Sequence, residues 1–96
     1  MPDSTAKELT VVNDLGLHAR AAGKLVRVAR RFEADIRVEC DGRSADGKSI
    51  VGLLTLAASR GKSLKVTAVG VDARAAIDAL AALVADGFEE GIGETH

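Results

Sequence analysis

Two residues of the stretch Gly16-Leu17-His18-Ala19-Arg20 pair a nitrogen nucleophile with a planar cation. From Ala19 to Phe32 the apolar positions Ala22, Leu25, Val26 and Ala29 follow the i, i+3, i+4, i+7 spacing of one helical face, which sets His18 at the N-cap. Unpaired N–H groups and a partial positive charge gather at a helix N-terminus. That field disfavours an imidazolium and leaves a neutral ring nitrogen free to attack an electrophile. If the group captured is a phosphoryl, its added negative charge sits against the same N–H groups. Arg20 in the first turn opposes the helix dipole by about 0.3 to 1 kcal/mol, a cost that an anion held between His18 and Arg20 would justify. Taken singly, each residue has an ordinary structural explanation, a capping histidine and a solvated arginine.

The elements that must hold this corner follow in order. A loose polar lead over residues 1–6 gives way to a strand from Lys7 to Asn13, and Asn13-Asp14-Leu15-Gly16 supplies the turn before the helix. The basic residues Arg27, Arg30 and Arg31 complement the helix C-terminus, and a solvated face explains them better than an acidic partner. Strict alternation places Ala34, Ile36, Val38 and Cys40 on one side of a second strand, so Cys40 reads as a buried structural thiol. Asp41-Gly42 predicts a tight turn into a short outer strand over Arg43-Ser44-Ala45, and Asp46-Gly47 turns the chain again. Ser49 stands as N-cap of a short apolar helix in which Ile50, Leu53, Leu54 and Leu56 cannot all point inward, leaving an exposed patch of the kind that marks docking sites. Leu64, Val66 and Ala68 alternate along another strand. The last helix, capped by Asp72, carries Ala73, Ala76, Ile77, Leu80, Leu83 and Val84 inward and ends at Gly87. The residues from Phe88 to His96 read as a frayed polar tail, with Phe88 able to fold back.

Ninety-six residues provide one domain, with a core expected over about 7–87 and a flexible polar tail over 88–96. Only Phe32 and Phe88 are aromatic, so the core is aliphatic and the stacking platforms of single-strand binders are missing. A net charge of −1 gives no drive toward nucleic acid or anionic membrane. A single cysteine excludes an internal disulfide, the start lacks a secretory apolar core, and no apolar run is long enough for a bilayer. A cytoplasmic protein is expected. Two histidines and one cysteine, distant in sequence, do not make a zinc site, and the chemistry at His18 calls for neither metal nor cofactor.

The chain resembles the HPr family, the histidine-containing phosphocarriers of the bacterial phosphoenolpyruvate-dependent phosphotransferase system. The resemblance rests on Gly16-Leu17-His18-Ala19-Arg20, on Gly47-Lys48-Ser49-Ile50 followed by Gly52-Leu53, and on element order over about residues 7–87. It implies an α+β open-faced sandwich of βαββαβα order: a four-stranded antiparallel sheet, order 1-4-2-3, with three helices on one face. It implies that His18 accepts a phosphoryl group on Nδ1 from phosphorylated enzyme I and passes it to an enzyme IIA domain, assisted by Arg20, in a carrier without turnover of its own. Ser49 matches the family's regulatory serine, modified by a dedicated kinase in lineages that possess one. Partner contacts are expected from Leu17, Arg20, Lys24 and Lys48 and from the apolar Ile50, Val51, Leu53 and Leu54, in a monomer that binds no nucleic acid and inserts in no membrane. Carriers of this kind serve sugar uptake or a purely regulatory branch.

Two positions depart from the family's habit. Ala21 stands where many members have proline, and Val51 where they often have methionine; the first loosens the corner slightly and the second alters partner choice. A second reading is a regulatory binding module acting through Ser49 and the Ile50–Leu56 surface, with His18 secondary. A small nucleic-acid-binding domain using Arg20, Lys24, Arg27, Arg30 and Arg31 is disfavoured by the neutral charge and the missing aromatics.

Overall fold

Polar and apolar residues alternate along four segments of the chain, so one face of the sheet they form can meet helices while the other meets water. In a computed structural model, which describes residues 3–90, the segments are β1 (Ser4–Thr10), β2 (Asp35–Cys40), β3 (Arg43–Asp46) and β4 (Ser63–Val69). They pair antiparallel in the order β1-β4-β2-β3. The helices are α1 (Ala19–Ala29), α2 (Ile50–Leu54) and α3 (Ala73–Ala85). Leu9, Ile36, Val38, Cys40, Ala45, Leu64, Val66 and Ala68 are buried on the inner face of the sheet, and α1 and α3 cover it with Leu25, Val26, Ile77, Leu80 and Val84. Each large aliphatic side chain so enclosed contributes about 1.5 to 3 kcal/mol, enough in sum for a core with a single aromatic at its centre.

Asp41 (φ 51°) and Gly42 (φ 82°) both take left-handed backbone, the signature of the two-residue turn that joins β2 to β3 without splaying them. Cys40 is the buried inward end of β2; burial, then the neighbouring Asp41 carboxylate, pushes its thiol up from the ordinary value, as befits a core residue. At the other end of the sheet Gly87 (φ 65°) closes α3 as expected of a left-handed C-cap glycine.

Three boundaries differ from the sequence reading. The first strand begins at Ser4 and ends at Thr10, so part of the expected polar lead pairs with β4, from Ser4 opposite Val69 to Thr10 opposite Ser63. Val11 is buried beyond the strand's end, held by its N–H to the Lys62 carbonyl and its own carbonyl to the Gly61 N–H. Asp72 does not cap α3: its carboxylate accepts the N–H groups of Glu33 and Ala34, both at 2.9 Å, and ties the start of α3 to the entry of β2. Those two donors, Glu33 first, hold its carboxyl below the usual carboxylate range against the opposing effect of burial. Lastly, packing continues past Gly87. Phe88 is fully enclosed within a 3₁₀ turn over Gly87–Glu89, so residues 88–90 do not belong to the frayed tail expected from Phe88 onward. The remainder of that tail lies outside the described residues, as do the first two residues of the lead.

Candidate functional site

The corner before α1 is built from a glycine that nothing else can replace. Gly16 has φ +64°, and a Cβ there would lie 2.5 Å from the Ala58 carbonyl oxygen, so the chain must turn left-handed and pass close to the exit of α2. The next N–H, from Leu17, donates to that same carbonyl at 2.8 Å. Leu17 then enters the core, only 4% exposed, and cannot serve the docking surface assigned to it from sequence. One residue later the backbone of His18 is extended (φ −81°, ψ −178°), which makes it the N-cap of α1 as the helical periodicity predicts.

The His18 ring has one nitrogen on each side of this cap. Nδ1 accepts the backbone N–H of Arg20 at 3.3 Å, taking up a donor that the helix itself leaves unpaired. Nε2 lies against the Glu90 carboxylate Oε2. A carboxylate accepts only, so the proton sits on Nε2 and the lone pair on Nδ1. The side chain is 26% exposed, with the Nδ1 contact at the surface and the Nε2 contact partly buried. A cleft of about 710 Å³ opens there, lined by Leu15, His18, Arg20, Lys24, Glu89 and Glu90. The Arg20 guanidinium is exposed and forms no hydrogen bond or ion pair among the described residues, leaving its five donors for an incoming anion.

Glu90 and Asn13 were invisible to sequence reasoning as members of the site. Glu90 lies 72 positions from His18 and Asn13 reads simply as a turn residue. Asn13 is fully buried, and its Nδ2 donates to the Gly16 carbonyl at 2.8 Å and to Glu90 Oε1 at 3.0 Å. Lys24, expected on the partner surface, donates from Nζ to the Phe88 carbonyl at 2.9 Å and pairs with Glu89 at 3.4 Å, so its charge serves the C-terminal turn first.

Ser49 caps α2, accepting the Gly52 N–H on Oγ at 3.0 Å. Beside it Val51 is 74% exposed, and Ile50 and Leu54 are also exposed. Leu15, 71% exposed on the lip of the cleft, adds an apolar residue not anticipated from sequence. Leu53 is fully buried and Lys48 donates from Nζ to the Phe32 carbonyl at 2.8 Å, so neither is free for the contact expected of it. The short helix points Leu53 inward and its other apolar residues outward, the division its few turns require, and Leu56, expected in the helix, turns into the core just beyond its end. Among the described residues no group of three or more His, Cys, Asp or Glu side chains is arranged to hold a metal ion, and no helix is long and apolar enough to cross a membrane.

The chain is similar in sequence and fold to known proteins. The family model for the PTS HPr component phosphorylation site matches residues 5–86. The phosphocarrier protein HPr of Cupriavidus necator is 42% identical over 85 residues, 88% of this chain and 96% of that one. A phosphocarrier protein NPr of Shewanella violacea is 43% identical over 84 residues, 88% and 92% of the two chains. Among solved structures, an HPr from Thermoanaerobacter tengcongensis superposes with a TM-score of 0.87 at 36% identity, over 92% of this chain and all but 1% of its own (99%). A second structure from that organism, described as an HPr dimer, has a TM-score of 0.71 at 41% identity, over 76% of this chain and 84% of that one. The chain therefore belongs to the HPr family of phosphocarrier proteins of the phosphotransferase system, a family of carriers rather than catalysts.

Proposed function

We propose that His18 is the phosphoryl acceptor, taking the group on Nδ1 from phosphorylated enzyme I and surrendering it to an enzyme IIA domain. The observation that carries this reading is the unequal state of the two ring nitrogens: Nδ1 without a proton and touched only by the long Arg20 N–H contact at a helix N-terminus, Nε2 engaged by Glu90. The Nδ1 lone pair forms the new P–N bond as the bond to the donor histidine breaks. The Nε2 proton stays in place, so the loaded ring carries a positive charge that the Glu90 carboxylate faces. In the onward step the Nδ1–P bond breaks and the neutral ring returns. Nothing in either direction needs a base, because positioning and charge stabilisation suffice when the leaving group is an imidazole. The Arg20 N–H already at Nδ1 and its unpaired guanidinium supply that stabilisation.

Docking falls to Leu15, Ile50, Val51 and Leu54, the exposed apolar residues around the cleft and on α2, with Arg20 as the cation among them. Ser49 is the regulatory position. A phosphate on its Oγ, bearing about −1.5 to −2 charges, would suit the N-terminus of α2 and oppose apolar docking on Val51 and Leu54 without disturbing the core. The reading places the protein in the cytoplasm as a monomer. Lys7 and Glu8, exposed on the free edge strand β1, set charges where a second sheet edge would have to pair.

Incubation with enzyme I and phosphoenolpyruvate tests the relay. An acid-labile, alkali-stable phosphate is expected on the wild type and none on His18→Ala. A folded wild type that takes up no such phosphate overturns the reading and leaves a binding module working through Ser49 and α2.

A further inference from the structure

Phe88 and Glu89 adopt left-handed backbone (φ 55° and 67°), a conformation that L side chains avoid, and they do so in succession after Gly87. The distortion delivers Glu90 to the histidine. Phe88 is sunk completely into the core, its carbonyl takes the Lys24 Nζ at 2.9 Å, and Glu90 is thereby carried back over the start of α1. There its two carboxylate oxygens have different partners. Oε1 accepts from Asn13 Nδ2 at 3.0 Å, and Oε2 meets His18 Nε2. Asn13 is the one polar side chain among the enclosed residues of the described structure, and its second Nδ2 proton goes to the Gly16 carbonyl at 2.8 Å. With both protons committed, the amide is a fixed point linking the turn before His18 to the carboxylate beyond it.

We propose that Asn13 and Glu90 are positioning residues that lock His18 in its Nε2–H tautomer and thereby confine phosphorylation to Nδ1. The inference deepens the phosphocarrier reading of His18 and rests on it for its biological use. Free imidazole presents either nitrogen to a phosphoryl donor. In this site Glu90 occupies one of them, and Asn13 prevents the carboxylate from turning away. The Asn13 amide could not be a carboxylate without setting like charge against Glu90 and lone pair against the Gly16 carbonyl. Once Nδ1 has bonded to phosphorus, the ring retains the Nε2 proton and its positive charge rests against Glu90. Breaking the same P–N bond returns the electron pair to Nδ1.

The tautomer is measured without any partner protein, from long-range proton–nitrogen correlations of the His18 ring in ¹⁵N-labelled protein at alkaline pH. Regiochemistry is measured after treatment with phosphoramidate, a phosphoryl donor that needs no enzyme I, by locating the ³¹P coupling on one ring nitrogen or the other. The wild type is expected to show the Nε2–H form and an Nδ1 adduct. Glu90→Ala and Asn13→Ala are expected to show mixed tautomers and at least a tenfold larger share of Nε2 adduct, and Glu90→Gln, which has one acceptor oxygen for the two donors of Asn13 and His18, is expected to lose the uniform Nε2–H form as well. Glu90 is half-buried and its truncation leaves the core intact, so the test stands even if Asn13→Ala does not fold. Unchanged tautomer and regiochemistry in folded Glu90→Ala overturn the proposal. Unchanged values in folded Asn13→Ala alone overturn the part given to Asn13. Because the tautomer is read in the free protein, failure of transfer from enzyme I would show separately.

Discussion

The two nitrogens of His18 face opposite surroundings, a helix N–H on one side and a carboxylate on the other, and the division of labour proposed for them follows from those contacts. Arg20 adds a cation that no carboxylate among the described residues neutralises. On the proposed relay, its removal leaves the His18 ring intact and withdraws charge from the transferring phosphoryl. Arg20→Ala is therefore expected to slow loading by enzyme I by about a hundredfold or more, measured in single-turnover assays, with little change in folding. A second residue-scale expectation concerns Ala57, which sits at φ 52° just before the carbonyl that holds the His18 corner. Glycine there relieves a left-handed Cβ, so Ala57→Gly should raise stability by about 1 kcal/mol, some 4 to 8 °C in thermal midpoint for a domain of this size. A fall in midpoint would show that the position is not strained. The capping histidine and the exposed arginine were legible in the sequence because both lie within three positions of one helix start. Glu90 was not, since no local pattern announces a carboxylate that arrives from 72 residues away.

Among the elements, β2 and β4 were the clearest to read, since each alternates over its whole length and buries every inward side chain. The first strand misled by several residues because it is an edge strand with Leu9 as its single buried residue, and the strongest apolar signal nearby, Val11, belongs to the loop that follows. Asp72 misled for another reason. Aspartate before an apolar helix signals a cap, yet two N–H groups of the chain entering β2 compete for the same carboxylate and win it. Those donors lower its pKa in the folded state, so ionised Asp72 stabilises the fold above its unfolded pKa. That contribution is lost as pH falls through the lower folded value. Asp72→Asn should thus be less stable than wild type at neutral pH, and the gap should close on acidification through the carboxylate range in paired denaturant titrations. A gap independent of pH would deny the carboxylate its part. At α2, Ser49→Ala removes the Oγ acceptor and should cost about 1 kcal/mol, whereas Ser49→Asp keeps a cap and should retain stability while losing affinity for enzyme I and enzyme IIA in binding titrations.

Across the whole molecule, the sheet and helices place the two ends of the described chain at different tasks. The N-terminal strand closes one edge of the sheet, and the C-terminal turn closes the site. Phe88 is the hinge between stability and chemistry: it fills the core and fixes Glu90 two residues later. Phe88→Ala is expected to cost about 3 to 5 kcal/mol, a large share of the stability of a domain this small, and to return His18 to mixed tautomers. Composition and charge had limited the protein to one aliphatic domain with no electrostatic pull toward nucleic acid, and the topology was implied by a resemblance confined to two motifs and an order of elements. What neither motif carried was the return of the chain after α3, where a single aromatic and a run of left-handed residues decide the geometry.

The direct measurement is a proton–nitrogen correlation spectrum of the His18 ring after loading by enzyme I and phosphoenolpyruvate. A phosphorus coupling on Nδ1, with Nε2 still bearing its proton, is the expected result. Coupling on Nε2, or a loaded protein whose His18 ring carries no phosphorus at all, would contradict the assignment of this histidine as the carrier.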